Sequence, residues 1–210
     1  MQTVIRLEQQ KDHRVVEELT RDAFWNTYVP GADEHLLINK MRDAKEFIRK
    51  LDFVALYNDK IVGNIVYAEA KIIDNKNEYT VLTFGPVSVL PEYQNKGIGS
   101  ELINHTIKLS KEMGYKAILI YGDPEYYKRF GFIVSKEFNI TNKEGKFPAA
   151  LQALELYQNA LNGIKGIFNE GKAYEIDAKE AEEFDKGFAY KEKLRTKSQK
   201  RFIEISGKFL

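Results

Sequence analysis

The sequence predicts a mixed α/β fold of the α+β kind: a mostly antiparallel central sheet flanked by helices, with a C-terminal extension. Three observations carry it. Residues 52–90 hold three strand-like runs joined by polar turns, residues 79–121 read strand–helix–strand, and a glycine-bearing loop sits where that strand ends and that helix begins.

Residues 3–7 alternate as a strand does, and a helix is expected from about Asp12, a candidate N-cap, with Val15, Val16, Leu19 and Ala23 on one face. Pro30-Gly31 breaks it, and Asp33 can cap a second short helix bearing Leu36, Leu37 and Met41. Asp52 to Tyr57 and Ile61 to Ile73 flank the turn Asn58-Asp59-Lys60 as a hairpin. Asp74 to Asn77 turns the chain into a third antiparallel strand, Tyr79 to Leu90, which Pro91 ends.

Ile98, Leu102, Thr106, Leu109 and Met113 then fall at helical spacing, with Gly114 placed to end the helix. Ala117 to Tyr121 is apolar without alternation, as suits a strand covered on both faces. A strand–helix–strand crossover makes its two strands parallel, so the sheet is mixed. Ala149 to Tyr157 fits either a strand or a helix, and Gly163, Gly166 and Gly171 punctuate the chain beyond it.

Composition narrows the class of function. Apolar residues at 43% and charged ones at 30% are a globular balance, and a net charge of +1 gives no electrostatic reason to expect nucleic acid or an anionic membrane as partner. No cysteine is present, which excludes disulfides, thiolate metal sites and a cysteine nucleophile. His13, His35 and His105 have no metal-ligand spacing, so no metal is expected. The first residues lack a basic region followed by an apolar run, and no apolar stretch approaches membrane-spanning length, so a cytoplasmic protein is expected.

The chemistry concentrates in Gln94-Asn95-Lys96-Gly97-Ile98-Gly99-Ser100. A helix's first turn has N–H groups without internal partners and carries partial positive charge, which together suit a pyrophosphate. Gly97 and Gly99 would let phosphate oxygens reach the amides, and Lys96 adds a cation. The string is not a Walker A loop, and position 102 is Leu102 where a dinucleotide fingerprint needs glycine. A bare glycine pair at such a turn would read as a strand-to-helix turn with no ligand. The leading Gln94, the spacing and the mixed-sheet context favour a ligand loop.

The segment Gly85-Pro86-Val87-Ser88-Val89-Leu90-Pro91-Glu92-Tyr93 and the loop after it resemble the central strand and Gln/Arg-x-x-Gly-x-Gly/Ala loop of the GNAT superfamily of N-acetyltransferases. Tyr127-Lys128-Arg129-Phe130-Gly131-Phe132 resembles that family's Tyr-x-x-x-Gly-Phe element, and Gly122-Asp123-Pro124-Glu125-Tyr126-Tyr127 is similar to its YhbS-like branch. The resemblance implies a GNAT domain over residues 1–157, an extension over 158–210, and acetyl-CoA as co-substrate. It implies that Val87, Ser88 and Val89 pair with the pantetheine arm, that Gln94, Asn95, Lys96, Gly97, Ile98, Gly99 and Ser100 hold the pyrophosphate, and that Tyr127 protonates the departing thiolate. From the residues alone, Tyr127 reads first as a core aromatic beside Phe130 and Phe132, and it is the resemblance that favours the catalytic role.

Two departures stand out. Many members place a catalytic glutamate eleven positions before the motif glutamine, where this chain has Thr83. The amine's proton would then pass to a water chain or to Glu69. The family's common asparagine before the tyrosine element has no counterpart either, and Asp123 there either contacts pantetheine or caps the short helix begun by Pro124. Trp25, Tyr28 and His35 flank the helix break where the family forms its substrate mouth, as packing or as contacts. The expected acceptor is a small-molecule or peptide amine, with a homodimer left open. The competing reading is an acetyl-CoA-binding module without catalysis. The basic stretch 186–210 is expected to be a solvated helix face or tail.

Overall fold

A computed structural model of the chain describes residues 2–75 and 77–210. Met1, and Lys76 in the expected turn between Asp74 and Asn77, lie outside the described residues.

Strand β1 (Val4–Leu7) leads through a 3-10 turn into helix α1 (His13–Phe24), followed by α2 (Glu34–Met41). Strands β2 (Phe53–Tyr57), β3 (Lys60–Asp74) and β4 (Asn77–Val89) form the expected meander, then come α3 (Ile98–Glu112) and β5 (Ala117–Tyr121). The short helix α4 (Pro124–Tyr127) precedes β6 (Ile133–Val134), β7 (Ile140–Thr141), β8 (Leu151–Glu155) and β9 (Gly166–Asn169), and α5 (Ala178–Asp185) and α6 (Lys197–Ser206) complete the elements. Residues 149–157, open between helix and strand in the sequence, thus contain a strand. None of the described helices is long and apolar enough to cross a membrane.

The sheet runs β1-β2-β3-β4-β5-β8-β6, with β9 paired to both β3 and β7. This is the expected mixed sheet: β4 and β5 are parallel, while β1 through β4 are antiparallel. Helix α3 covers one face by burying Ile98, Leu102 and Ile103. Removing each such side chain from water contributes about 1.5–3 kcal/mol. Thr106, at the centre of the same stripe, is also buried, and its hydroxyl meets that of Tyr67 at 2.9 Å.

Some local expectations change. Helix α1 buries Val16, Leu19 and Thr20, whereas Val15, about 100° around the helix, is 45% exposed. Asp12 directs its carboxylate to the Arg6 guanidinium at 2.6 and 3.0 Å and to the Gln9 amide at 2.9 Å instead of capping α1. Asp33 makes no side-chain cap either, and Met113 falls just past the end of α3, exposed.

Residues after 157 join the same sheet and pack on the first helices. Strand β9 pairs with Lys71, Ile72 and Ile73 of β3. Arg21 of α1 clasps Asp185 with Nε at 2.6 Å and a second nitrogen at 3.2 Å. His35 is fully buried, its Nε2 3.2 Å from the same carboxylate and its ring against Phe184 and Phe188. Burial pushes its pKa down to about 4 despite Asp185, so the ring is neutral at ordinary pH. His35 is therefore a docking residue for the C-terminal segment.

Candidate active site

The site exists because β4 and β5 part. Their register holds one matched pair, Leu82 with Ile118, and no strand among the described residues continues along that edge of β4 toward Val89. The register between β3 and β4 shifts between the pairs Tyr67–Phe84 and Ile65–Val87, a bulge that bends β4 just after its matched pair with β5 at Leu82. A cavity of about 1030 Å³ occupies the gap. It lies at the carboxyl ends of two parallel strands, where crossover connections leave room for ligands.

The glycine loop closes one side. Asn95, Gly97, Ile98, Gly99 and Ser100 line the cavity together with Val87, Val89 and Gln94. Gly97 is the residue before α3 and has φ +89°, a conformation other residues adopt only under strain. A Cβ there would point into open space, so its conformation is what demands glycine. At Gly99 a Cβ would stand 3.4 Å from the Tyr126 hydroxyl and 3.7 Å from Val89, contacts of ordinary van der Waals length. The first-turn amides of α3 have no partners within the helix and are available to an anion.

Two loop side chains shape the loop itself. Gln94 donates through Nε2 to the Val89 carbonyl at 3.1 Å, tying the loop to the end of β4. Lys96, expected as a free cation for phosphate, donates to the Glu92 carbonyl at 2.7 Å and lies over the Tyr93 ring. Ser88 is buried and donates to the Thr20 hydroxyl at 3.1 Å. Its side chain faces α1, and only its backbone is left for the role expected of it.

Tyr127 enters from the opposite wall. Its half-buried ring lies 5.7–5.9 Å from those of Phe132 and Phe84 and 5.0 Å from Tyr126. Burial, with Tyr28, Tyr126 and Tyr67 nearby, pushes its phenol well above the ordinary value, so it stays protonated. Asp123 caps α4 through the Glu125 amide at 2.9 Å and also meets Arg201 of α6 at 3.2 Å. The expected cap is thus present, and Asp123 also lies on the cavity lining.

Gly122 was missed by sequence reasoning, although it stands in the string just before the tyrosines. A Cβ on Gly122 would collide with Cε2 and Cδ2 of the Tyr127 ring. Gly122→Ala should therefore displace the phenol. Overpacking of this kind costs about 1–3 kcal/mol of stability. Turnover should fall at least about tenfold while acetyl-CoA affinity holds within about threefold, the split expected for a lost transition-state contact. Thermal melts, calorimetry and thiol-release kinetics read the three quantities.

Other expected residues lie elsewhere. Trp25 is not on the cavity lining; its indole donates to the Glu192 carbonyl at 2.9 Å and its ring lies under Arg21. Glu69 is exposed and accepts from the Tyr115 hydroxyl at 2.8 Å, also away from the cavity. Tyr28 does line it, its ring 4.9 Å from Phe202. Burial, then Glu34, pushes its phenol up to about 12. Thr83 is buried. Beside Tyr121 and Tyr174, Glu170 has its carboxyl pushed up to about 7 by burial.

Helix α6 falls in the stretch expected to be a solvated basic face, yet Ser198, Arg201, Phe202, Ile205 and Ser206 line the cavity. A signal exists in the chain: Thr196-x-x-Gln199 is a capping box, and Phe202, Ile205 and Phe209 come after it at helical spacing.

Residues 42–134, which contain the meander, the glycine loop and the tyrosine element, match the family described as Acetyltransferase (GNAT) domain. Over part of its length the chain is also similar to the N-acetyltransferases YjhQ and YhbS. The uncharacterized N-acetyltransferase YjhQ of Escherichia coli K12 is 33% identical over 82 residues, 39% of this chain and 45% of that protein. The uncharacterized N-acetyltransferase YhbS of the same strain is 24% identical over 108 residues, 51% of this chain and 64% of that one. The matches thus span less than two thirds of either relative.

Among solved structures, YhbS from Escherichia coli in complex with CoA superposes with TM-score 0.72 at 22% identity, over 82% of this chain and 91% of that one. A GNAT family acetyltransferase from Brucella melitensis in complex with acetyl-CoA superposes with TM-score 0.67 at 25% identity, over 83% and 99%.

Proposed function

We propose that this chain is an N-acetyltransferase that moves an acetyl group from acetyl-CoA directly to a primary amine of a small molecule or peptide. The observation that carries this reading is the cleft between β4 and β5, with a helix-start anion loop on one wall and a protonated phenol on the other. The acetyl-CoA complex of the Brucella relative supports the choice of donor.

Acetyl-CoA supplies an activated acyl group whose carbonyl carbon passes to the amine nitrogen as the carbon–sulfur bond breaks. The amides of Gly97 through Ser100 hold the pyrophosphate. The unpaired edge of β4 at Val87 and Val89 offers backbone groups to the pantetheine amides as a further strand would. Tyr127 gives its hydroxyl proton to the sulfur, the proton lost by the amine nitrogen passes through water and restores the phenol, and Gly122 and the Asp123 cap fix where that hydroxyl stands. Much of the rate comes from alignment, which in well-oriented reactions supplies about 7–11 kcal/mol.

Thr83 favours a second reading, a module that binds acetyl-CoA without turning it over, because a buried threonine cannot take the amine's proton. Calorimetry with acetyl-CoA, followed by thiol release across a broad amine panel, separates the two. Binding with amine-dependent release of CoA is the expected result. Binding without release from any amine favours the module, and absence of binding removes both.

A further inference from the structure

The cavity has a wall that the GNAT domain match over residues 42–134 does not supply. Helix α6 lies against it, with Phe202 against Tyr28 and Arg201 against Asp123. Both ends of the helix are pinned. At the start, Thr196 Oγ1 and Gln199 Nε2 donate to the Asn26 carbonyl at 2.8 and 3.1 Å. At the end, Ala149 donates to the Lys208 carbonyl at 2.8 Å and Leu210 to that of Phe147 at 2.9 Å. A helix tied to the α1 end and to the segment before β8 is a built part of the site.

Its chemistry is selective. Phe202, Ile205 and Phe209 add carbon to the lining, as do Phe24 and Tyr28 around the end of α1, whose rings pack in the series Phe24, Tyr28, Phe202. The acidic groups on the lining are already engaged, Asp123 by Arg201 and Glu144 by Lys146. A polycation would find few free carboxylates here, whereas an aromatic or branched apolar group would lose water on both sides.

We infer that α6 forms the acceptor wall of the site, and that the acceptor is a primary amine with an apolar, aromatic or branched body, seated against the packed rings of Tyr28 and Phe202. The inference rests on the acetyltransferase reading above. Phe202 is then a specificity residue outside the matched domain.

The test uses the full chain, acetyl-CoA, and phenethylamine, tryptamine and spermidine as probes. The parent should acetylate the two arylalkylamines with kcat/KM at least about tenfold above spermidine, the scale of apolar-pocket discrimination. Phe202→Ala should raise KM for phenethylamine about tenfold, leaving acetyl-CoA affinity within about threefold. Phe202→Tyr should restore KM, and Ile203→Ser, on the outward face at 66% exposure, should not change it. Spermidine used as well as the arylalkylamines overturns the inference, as does an unchanged KM in Phe202→Ala. Acetyl-CoA binding with no arylalkylamine acetylated also overturns it while sparing the cofactor assignment, whereas loss of acetyl-CoA binding by the parent removes the reading beneath it. Should Phe202→Ala fail to fold, the parent's substrate ranking decides.

Discussion

Tyr127→Phe slows the chemical step by roughly 10²-fold or more, the usual scale for losing a general acid. The variant keeps the ring's contacts with Phe84, Phe132 and Tyr126 and removes only the hydroxyl. Stability and acetyl-CoA affinity therefore stay near the parent values. The phenol is suited to the role because burial holds it protonated, so the donor form is present throughout the working pH range. Single-turnover thiol release with a responsive amine isolates the step from product dissociation. Turnover within about threefold of the parent, well short of the general-acid scale, would show that the sulfur leaves without help from Tyr127. Gly122→Ala is the companion variant, since it keeps the hydroxyl and moves it.

A comparably large effect is expected at the anion loop. Gly99→Glu should abolish acetyl-CoA binding by calorimetry, because a carboxylate would enter the space lined by the α3 amides and repel the pyrophosphate. Gly99 is a cleaner position than Gly97. Its backbone lies within the first turn of α3, while any residue replacing Gly97 must also bear φ +89°. An ordinary thermal melt with no heat of binding is the expected pair of results. Unchanged affinity in Gly99→Glu would remove the loop from the cofactor site.

Much of the architecture was legible in the chain because its signals are local. The polar turns at Asn58-Asp59-Lys60 and around Asp74 set the meander, and the spacing Ile98, Leu102, Thr106 set α3 and its buried face. The anion loop and the tyrosine element are short contiguous strings, so a sequence can show them. Side-chain commitments were less legible. Asp12 looks like a cap until Arg6 is seen 2.6 Å away. Lys96 looks like a phosphate cation until its ammonium is found on the Glu92 carbonyl. Trp25 looks like a substrate contact until its indole is found on the Glu192 carbonyl, far along the chain.

The sequence by itself determined the element order from β1 to β5, the parallel crossover from β4 to β5, the glycine loop at the start of α3 and the tyrosine at the end of α4. Each depends on residues close together in the chain, whose backbone preferences and periodicity do not wait on distant partners. Only the tertiary structure decided that Gly122 makes room for Tyr127, that His35 is a neutral docking residue beside Asp185, and that α6 closes the cavity against Tyr28. The contact of Phe202 with Tyr28 depends on how β9 and α5 pack back onto β3 and α1. A long-range fit of that kind is set by shape and burial summed over the whole molecule, and no single stretch of sequence records it.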